Sequence, residues 1–394
     1  MNPQITNVVS NPQGLSFTLS GVDVSVANAL RRTLLTQIDR LVLADFTIED
    51  NTSTQFHNEI VKHRLQSVPV HLALPGLKEM SAFCEQHVVE VDVQNNTEEI
   101  MYVTTEHFRV VNKVTGVILS PNETRVMFPA YKLYYYTDLL RLLPGKGETI
   151  QGERIKLRAA FHIARAQENS CYTVVSKSTF HNTVDMDKAL QAWTAIEAKG
   201  YKDGWTAEMT ALKKRDFLAL DADRYFRPNS FDFVVRSIGI YEEEDLMVRA
   251  CRLLTQTLQK LQGDVEADTV SIYPSSARAE NASSMEHSWD VVLPVVHHTE
   301  DRTVLWSDGH SIGPLLDHLL YRHYVEDKKT ATFSGFAKFH PHSKESVLRV
   351  AMRSADGRDL LKTYLIDCCK EATQVLEHIE VLFVKGRPDS KGRP

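Results

Sequence analysis

Residues 23–38 read Asp-Val-Ser-Val-Ala-Asn-Ala-Leu-Arg-Arg-Thr-Leu-Leu-Thr-Gln-Ile, and this stretch decides the fold. Its apolar side chains recur every three or four residues, which predicts an amphipathic helix with Ser25 as the N-terminal cap. The predicted buried face consists of Val26, Ala29, Leu30, Thr33, Leu34 and Ile38. A helix with so wide an apolar face needs a second apolar surface to pack against.

The same design returns late in the chain. Ser311 precedes a second short apolar helix, and Pro314 falls in its first turn, where the missing N–H has no cost. An aspartate lies upstream of each copy, Asp23 in the first and Asp308 in the second. The two copies predict that the chain contains an internal repeat.

A second pair of segments repeats as well. A strand-like run at 233–237 precedes a helix that opens at Asp245, and a run at 347–351 precedes a helix that opens at Asp359. The chain therefore carries two diverged copies of strand, short helix, strand and long helix. Two such copies with apolar helical faces predict a pseudo-two-fold pair within one polypeptide.

The helices carry the residues that we expect to form this pair. The last helix keeps an unbroken four-three alternation typical of a heptad seam, through Leu361, Leu365, Cys368, Ala372, Val375, Ile379 and Leu382. The predicted intramolecular pairing residues are Leu30, Leu34, Leu254, Leu258, Leu316, Leu320, Leu361, Leu365, Val375 and Ile379. Together they predict a four-helix interface between two sheets.

The composition is ordinary for a soluble globular protein. Hydrophobic residues make up 43% of the 394, and the formal charge of −6 argues against a chain whose main task is to coat nucleic acid. Residues 1–6 lack a basic or apolar signal region, and no apolar run reaches membrane-spanning length. The five cysteines, an odd number, predict no disulfide framework. We expect a soluble, intracellular protein.

Several motifs carry a family resemblance. Residues 25–32 (Ser-Val-Ala-Asn-Ala-Leu-Arg-Arg), 48–53 (Ile-Glu-Asp-Asn-Thr-Ser) and 63–69 (His-Arg-Leu-Gln-Ser-Val-Pro) resemble the alpha-type subunit of multisubunit RNA polymerases in its archaeal and eukaryotic version. Residues 310–316 (His-Ser-Ile-Gly-Pro-Leu-Leu) and 333–336 (Phe-Ser-Gly-Phe) resemble that subunit's small alpha-like partner. The resemblance implies a fusion of both partners, similar to fusions in large DNA viruses.

The predicted fold class is α+β, with two alpha-subunit-type dimerisation domains paired within one chain and a β-rich domain inserted in the first. The predicted boundaries are 1–48 and 151–261 for the first domain, 49–150 for the insertion, 262–286 for a linker, 287–384 for the second domain and 385–394 for a basic tail. Short β-like runs at 88–93, 100–104 and 125–128 favour strands in the insertion. Residues 155–164 predict a strand, with 172–180 as its hairpin-type continuation.

Candidate chemistry is sparse. Residues 144–149 (Pro-Gly-Lys-Gly-Glu-Thr) lack the spacing of a nucleotide-binding loop and predict a turn. The pairs Asp185/Asp187 and Asp221/Asp223 could hold Mg²⁺ in principle, although such pairs are common on solvated loops. Cys84 with His87 lacks the second ligand pair that zinc requires. The sequence therefore predicts no catalytic residue, no metal and no cofactor.

The candidate interface residues follow from the resemblance. An arginine pair on a helix is usually a solvated face, but the resemblance implies that Arg31 and Arg32 contact a large catalytic subunit. Arginine suits this role because its planar fork matches carboxylates and carbonyls. Glu59, His63 and Arg64 could form an internal ion-pair set or a partner contact. The full predicted interface set is Asn28, Arg31, Arg32, Glu59, His63, Arg64 and Arg165.

The hypothesis that the resemblance favours is a non-catalytic assembly platform of a DNA-dependent RNA polymerase. Its implied partners are the largest and second-largest polymerase subunits and small accessory subunits, without sequence-specific nucleic-acid binding or membrane contact. If the protein is viral, it would work in the host cytoplasm or nucleus and could be packaged in the virion. The alternatives are a free-standing transcription regulator that docks on polymerase and an α+β enzyme of unrecognised chemistry.

Overall fold

The structure, a computed structural model, describes residues 1–131, 135–146, 151–277, 283–294, 309–343, 345–354 and 357–385. Asp308 and most of the predicted basic tail, residues 386–394, lie outside the described residues. The fold is a mixture of helices and antiparallel sheets. It divides into two compact units: unit 1 (Met1–Leu34, Lys177–Arg236 and Glu243–Pro394) and unit 2 (Leu35–Ser176 and Ser237–Glu242).

The regular elements of the described residues are as follows, in chain order. The helices are α1 (Val24–Thr36), α2 (Asn58–Ser67), α3 (Leu77–Gln86), α4 (Pro121–Met127), α5 (Met186–Lys202), α6 (Ala207–Asp216), α7 (Glu243–Glu266), α8 (Gly313–Leu320) and α9 (Gly357–Lys385). The first strands are β1 (Gln4–Asn11), β2 (Gly14–Ser20), β3 (Arg40–Asn51), β4 (His87–Gln94), β5 (Met101–Thr104), β6 (Arg109–Asn112) and β7 (Asp138–Leu142). The later strands are β8 (Arg154–Ala164), β9 (Val175–Val184), β10 (Phe226–Ser237), β11 (Ile272–Pro274), β12 (Ser288–Pro294), β13 (Ala331–Ala337) and β14 (Glu345–Met352).

Helix α1 begins at Val24, one residue before the predicted cap. The Asp23 carboxylate accepts a hydrogen bond from the Ser25 backbone N–H at 2.8 Å, and the Asp23 carbonyl accepts from the Val26 N–H. Ser25 is a buried residue inside the helix, so the prediction that it caps α1 is wrong. The apolar face is as predicted, because the six residues assigned to it are all buried.

Unit 1 contains two four-stranded sheets with the same order of elements. One sheet runs β1-β2-β10-β9 and the other runs β11-β12-β14-β13. In each, a short helix follows the second strand of the chain (α1 after β2, α8 after β12), and a long helix follows the third strand of the sheet (α7 after β10, α9 after β14). The repeat predicted from the sequence thus extends to strand order.

The core of unit 1 joins sheet and helix through aromatic rings. Phe17 on β2 stacks on its cross-strand neighbour Phe233 on β10, with ring centroids 5.1 Å apart. Phe383, near the end of α9, meets the Phe17 ring edge-on at 5.1 Å. The buried seam of α9 ends on Phe383, because the predicted Leu382 is only partly covered.

A helical hairpin interrupts the first sheet between β9 and β10. Helices α5 and α6 enclose a small core around Trp193 and Phe217, and Trp205 fills the space beside Gly200. Asp185 caps α5 by accepting from the Lys188 N–H.

Three expectations for individual segments are wrong. Residues 125–128 were predicted as a strand, but 125–127 belong to α4 and Phe128 is its C-terminal cap; the helix starts at a capping box between Ser120 and Glu123. The segment 172–180 is not a hairpin continuation of β8, because β9 pairs with β10 instead. Within the segment predicted as a connector, residues 262–266 extend α7 and Ile272–Pro274 form β11 against β12. Strand β1 and helix α3 were not predicted from the sequence.

Unit 2 contains two sheets. The larger has four strands in the order β3-β8-β4-β6, and the smaller is the two-stranded pair β5-β7. Strand β3, before the predicted insertion, pairs with β8, after it, as the alternating apolar patterns indicate. Strand β4 of the insertion pairs with the other edge of β8. The exposed side chains of this sheet form cross-strand ion pairs such as Arg158–Glu90 at 2.9 Å.

No helix among the described residues has both the length and the apolar character needed to cross a lipid bilayer.

Candidate protein interface

The polar face of α1 presents Arg31 in a fixed orientation. The Asn28 side-chain oxygen accepts from Arg31 Nε at 3.2 Å and from Arg31 Nη2 at 2.9 Å. Burial lowers the pKa of the Arg31 guanidinium, and the like charge of Arg32 lowers it further. Asn28 and Arg31 are both half-buried. The Asn28 amide therefore limits the rotamers of a guanidinium that lies at the surface.

Arg32 points instead to the second half of the chain. Its Nε donates to the Ser311 hydroxyl at 3.4 Å, at the start of the segment that leads into α8. At the other end of α1, the Asp23 carboxylate lies 3.5 Å from His318 Nδ1 near the end of α8. The start of α1 lies near the end of α8, and the later part of α1 lies near the start of α8. The two helices therefore run antiparallel.

The α2 residues do not form the internal ion-pair set considered from the sequence. Glu59 and His63 are exposed, and no ion pair joins them to each other or to Arg64 in the described part of the chain. Arg64 donates to the Asp138 carbonyl at 2.7 Å and lies over the Phe56 ring at 5.3 Å. Arg64 thus links α2 to β7 within unit 2.

Arg165 is buried in unit 2 as half of a bidentate ion pair. Its Nε and Nη2 donate to the two Asp39 carboxylate oxygens at 3.1 and 2.9 Å, and both side chains are 9% exposed. The Asp39 carbonyl accepts from the Tyr241 hydroxyl at 2.9 Å. The neighbouring Arg40 is buried under Tyr172 and donates to the Cys171 carbonyl at 3.1 Å. These arginines hold the 165–172 loop on the start of β3.

The ten predicted pairing residues are all buried, with exposures of 4% or less. Helices α7 and α9 pack against each other, and α8 packs against α9. Arg252 in α7 donates to Glu380, late in α9, at 2.7 Å. Asp268, just beyond α7, accepts from Arg358 at 2.8 Å and pairs with Lys362 at 2.9 Å, both early in α9. These contacts at opposite ends fix an antiparallel register.

The ion pairs of Asp268 make the stability of the α7–α9 packing dependent on pH. Hydrogen bonds from Lys362 and Arg358 hold the pKa of the Asp268 carboxyl below its ordinary value. A lowered folded pKa stabilises the fold above the unfolded value of about 3.9, and this contribution is lost as the pH falls through the folded pKa. Asp268→Asn should therefore lower the melting temperature at pH 7, and the deficit relative to the parent should shrink below about pH 4.

Thermal melts of parent and variant between pH 7 and pH 3 measure this effect. Asp203→Asn is the matched control, because Asp203 is exposed and forms no ion pair among the described residues. A difference in melting temperature between parent and Asp268→Asn that stays constant from pH 7 to pH 3 would contradict a lowered pKa of Asp268 in the folded protein.

Several of the candidate metal-binding residues and cysteines have structural roles. Asp185 is the α5 cap, and Asp221 pairs with Arg224 at 3.3 Å. His87 Nδ1 lies 3.1 Å from the Phe83 carbonyl. The five cysteines are free thiols, and burial raises the pKa of Cys251, Cys368 and Cys369, the last to about 12. These three thiols stay protonated and act as small apolar groups.

Comparison with known proteins identifies a family for the first part of the chain. The family description "RNA polymerase Rpb3/Rpb11 dimerisation domain" matches residues 16–258, more than half of the chain. This chain belongs to that family. The matched region begins in β2, ends within α7 and includes the whole of α1 with its two arginines. The second half, from β11 to α9, lies beyond the match.

Three similar proteins are RNA polymerase subunits by name. Rpo3 of Pyrococcus furiosus is 20% identical over 271 residues, which cover 64% of this chain and 93% of the relative. Rpo3 of Thermococcus kodakarensis is 41% identical over 59 residues, a segment that spans 15% of this chain and only 22% of the relative. Human RPAC1, of RNA polymerases I and III, is 32% identical over 91 residues, which cover 23% of this chain and 26% of the relative.

Proposed function

We propose that this chain is a non-catalytic assembly subunit of a DNA-dependent RNA polymerase. The observation that carries the proposal is the Rpb3/Rpb11 match over residues 16–258, which includes the α1 motif. Its relatives Rpo3 and RPAC1 are subunits of DNA-directed RNA polymerases. The proposal assigns no catalytic residue and no cofactor to this chain.

The alpha-like pair would be intramolecular. The shared strand order of the two sheets in unit 1 supports two related halves, and the antiparallel packing of α7 on α9 supports their pairing. A tether between halves keeps the local concentration of order mM, which favours closure within one chain over pairing between chains. In this proposal the first half includes α1 and α7, and the second half runs from β12 to α9. The chain is a fusion of large and small alpha-like partners, of the kind that large DNA viruses carry.

Docking of the second-largest polymerase subunit would use α1 and the 54–71 segment. Arg31 supports this because Asn28 holds its guanidinium at the surface. Glu59 and His63 are exposed and available in the same scheme. Arg32 and Arg165 also belong to the predicted interface set, but each makes a contact within this chain, to Ser311 and to Asp39 respectively. They would therefore contribute indirectly, by stabilising the position of α1 and of the 165–172 loop. The largest subunit would take another face, and small accessory subunits would complete the assembly.

Purification of a tagged full-length chain from the cells that make it tests this function. The expected result is recovery of two large polymerase subunits in a fixed one-to-one ratio that survives moderate salt. A regulator that binds the polymerase only transiently would recover the large subunits in less than one-to-one amounts, and salt would weaken this association. Metal-independent turnover of a substrate by the isolated chain would favour an enzyme instead.

A further inference from the structure

A groove in unit 2 has the features of a second protein-binding site. It encloses about 390 Å³ between the start of β6, the segment that follows β6 and helix α4. Its floor is made of Phe108 and Phe128, which are 3% and 2% exposed and meet edge-to-face at 4.9 Å. The volume is within the range of pockets that take a large side chain or a small ligand.

Part of the groove lining is apolar and open to solvent. Ile118, which lines the groove, is 53% exposed. Tyr136 also lines the groove and is half-buried. Side chains of this size and exposure around an open groove are typical of protein-binding surfaces. A pocket for a small molecule would instead enclose most of its ligand.

The charges that line the groove leave a cation unmatched. Asp92 is held by Arg154 in a bidentate pair at 2.8 and 2.9 Å, and Arg125 lies 3.8 Å from Glu106. Arg109 is exposed and has no ion-pair partner among the described residues. Its cross-strand neighbour Glu90 is already paired with Arg158 at 2.9 Å. The groove therefore offers one free guanidinium beside an aromatic floor.

We propose that this groove binds a segment of a partner protein that inserts an aromatic or aliphatic side chain over Phe108 and Phe128 and places a carboxylate on Arg109. A guanidinium receives a carboxylate through two parallel hydrogen bonds, which fixes the orientation of the segment. A nucleic acid fits less well, because a single unmatched cation is too little positive charge for a phosphate backbone. The inference is separate from the docking proposed above, since none of the groove residues belongs to α1 or to the 54–71 segment.

Site-specific photocrosslinking in the assembly purified with the full-length chain tests the proposal. Ile118 is replaced by the photoreactive p-benzoylphenylalanine, and Val114, which is 80% exposed and four residues away, carries the same group as a control. The expected result is a crosslink from position 118 to one polypeptide segment that contains an apolar anchor next to an acidic residue. Addition of Arg109→Glu should lower the crosslink yield at least about 10-fold, because a charge-assisted contact becomes a repulsive one.

Lys78→Glu is the matched charge reversal, because Lys78 is an exposed cation of unit 2 that does not line the groove. It should leave the yield unchanged. The proposal is overturned if position 118 gives no more polypeptide crosslink than position 114, if the crosslinks go to nucleic acid, or if Arg109→Glu and Lys78→Glu act alike. Recovery of the large polymerase subunits is recorded in the same preparations, so failure of the groove and failure of the assembly function are separate results.

Discussion

Leu365→Asp is expected to separate or unfold the two halves of unit 1. Leu365 is 1% exposed in the seam of α9, and α9 packs against α7 and α8. The substitution removes a buried leucine side chain, which costs about 2–5 kcal/mol, and it places a carboxylate among buried apolar side chains of α9. The sum approaches the whole stability of an ordinary domain, about 5–15 kcal/mol. We expect a fall in melting temperature of about 10–20 °C or loss of the folded state.

Hydrogen exchange and small-angle scattering measure this outcome. Amide protection should fall in both α7 and α9, and the radius of gyration should increase. Leu360→Asp is the control, because Leu360 is 40% exposed on the same helix. It should change the melting temperature by no more than about 2 °C, as expected for a surface substitution. Unchanged compactness and protection in Leu365→Asp would argue against the paired-helix arrangement.

Arg31→Glu is expected to abolish recovery of the second-largest polymerase subunit while the chain stays folded. Arg31 lies outside the apolar face of α1, so the reversal leaves the core intact. At the docking surface it replaces a pre-oriented donor by a like charge for any carboxylate of the partner, which costs several kcal/mol. Recovery should fall by at least about 100-fold, since each 1.4 kcal/mol is a factor of ten.

Two further variants separate orientation from charge. Asn28→Ala keeps the Arg31 charge and removes only the amide that holds it, so recovery should fall by a smaller factor, about 3- to 10-fold. Arg215→Glu reverses an exposed arginine of the same unit, 75% exposed on α6, and should leave recovery unchanged. Full recovery with Arg31→Glu, at an unchanged melting temperature, would refute the contact.

The sequence alone determined the elements with strong periodicity. The apolar face of α1, the seam of α9 and the alternation in β8 are regular over about ten or more residues, so the spacing of the apolar residues decides which side chains are buried. The internal repeat could be found in the same way, because both halves use the same residue types at the same offsets. The arginines of α1 were located by motif and not by any physical pattern, since an arginine pair on a helix is usually solvated.

The tertiary structure decided the short elements and every polar partner. The strand predicted at 125–128 is a helix because the Ser120 and Glu123 capping box, a local signal, outweighs the β-like residues that follow. Strand β9 pairs with β10 rather than β8, since pairing depends on which sheet is available and not on adjacency in sequence. The contacts of Arg32 with Ser311 and of Asp268 with Arg358 join residues at least ninety positions apart, which no local pattern specifies.

The two arginines of α1 illustrate this division. Sequence treats Arg31 and Arg32 as equivalent neighbours, whereas the fold turns one toward Asn28 at the surface and the other toward Ser311 in the second half. Successive positions on a helix are about 100° apart, so the two side chains point in different directions. Which partner each one reaches depends on the helix that packs alongside. Periodicity therefore determined which surfaces are buried, and the antiparallel packing of the halves determined which charges meet.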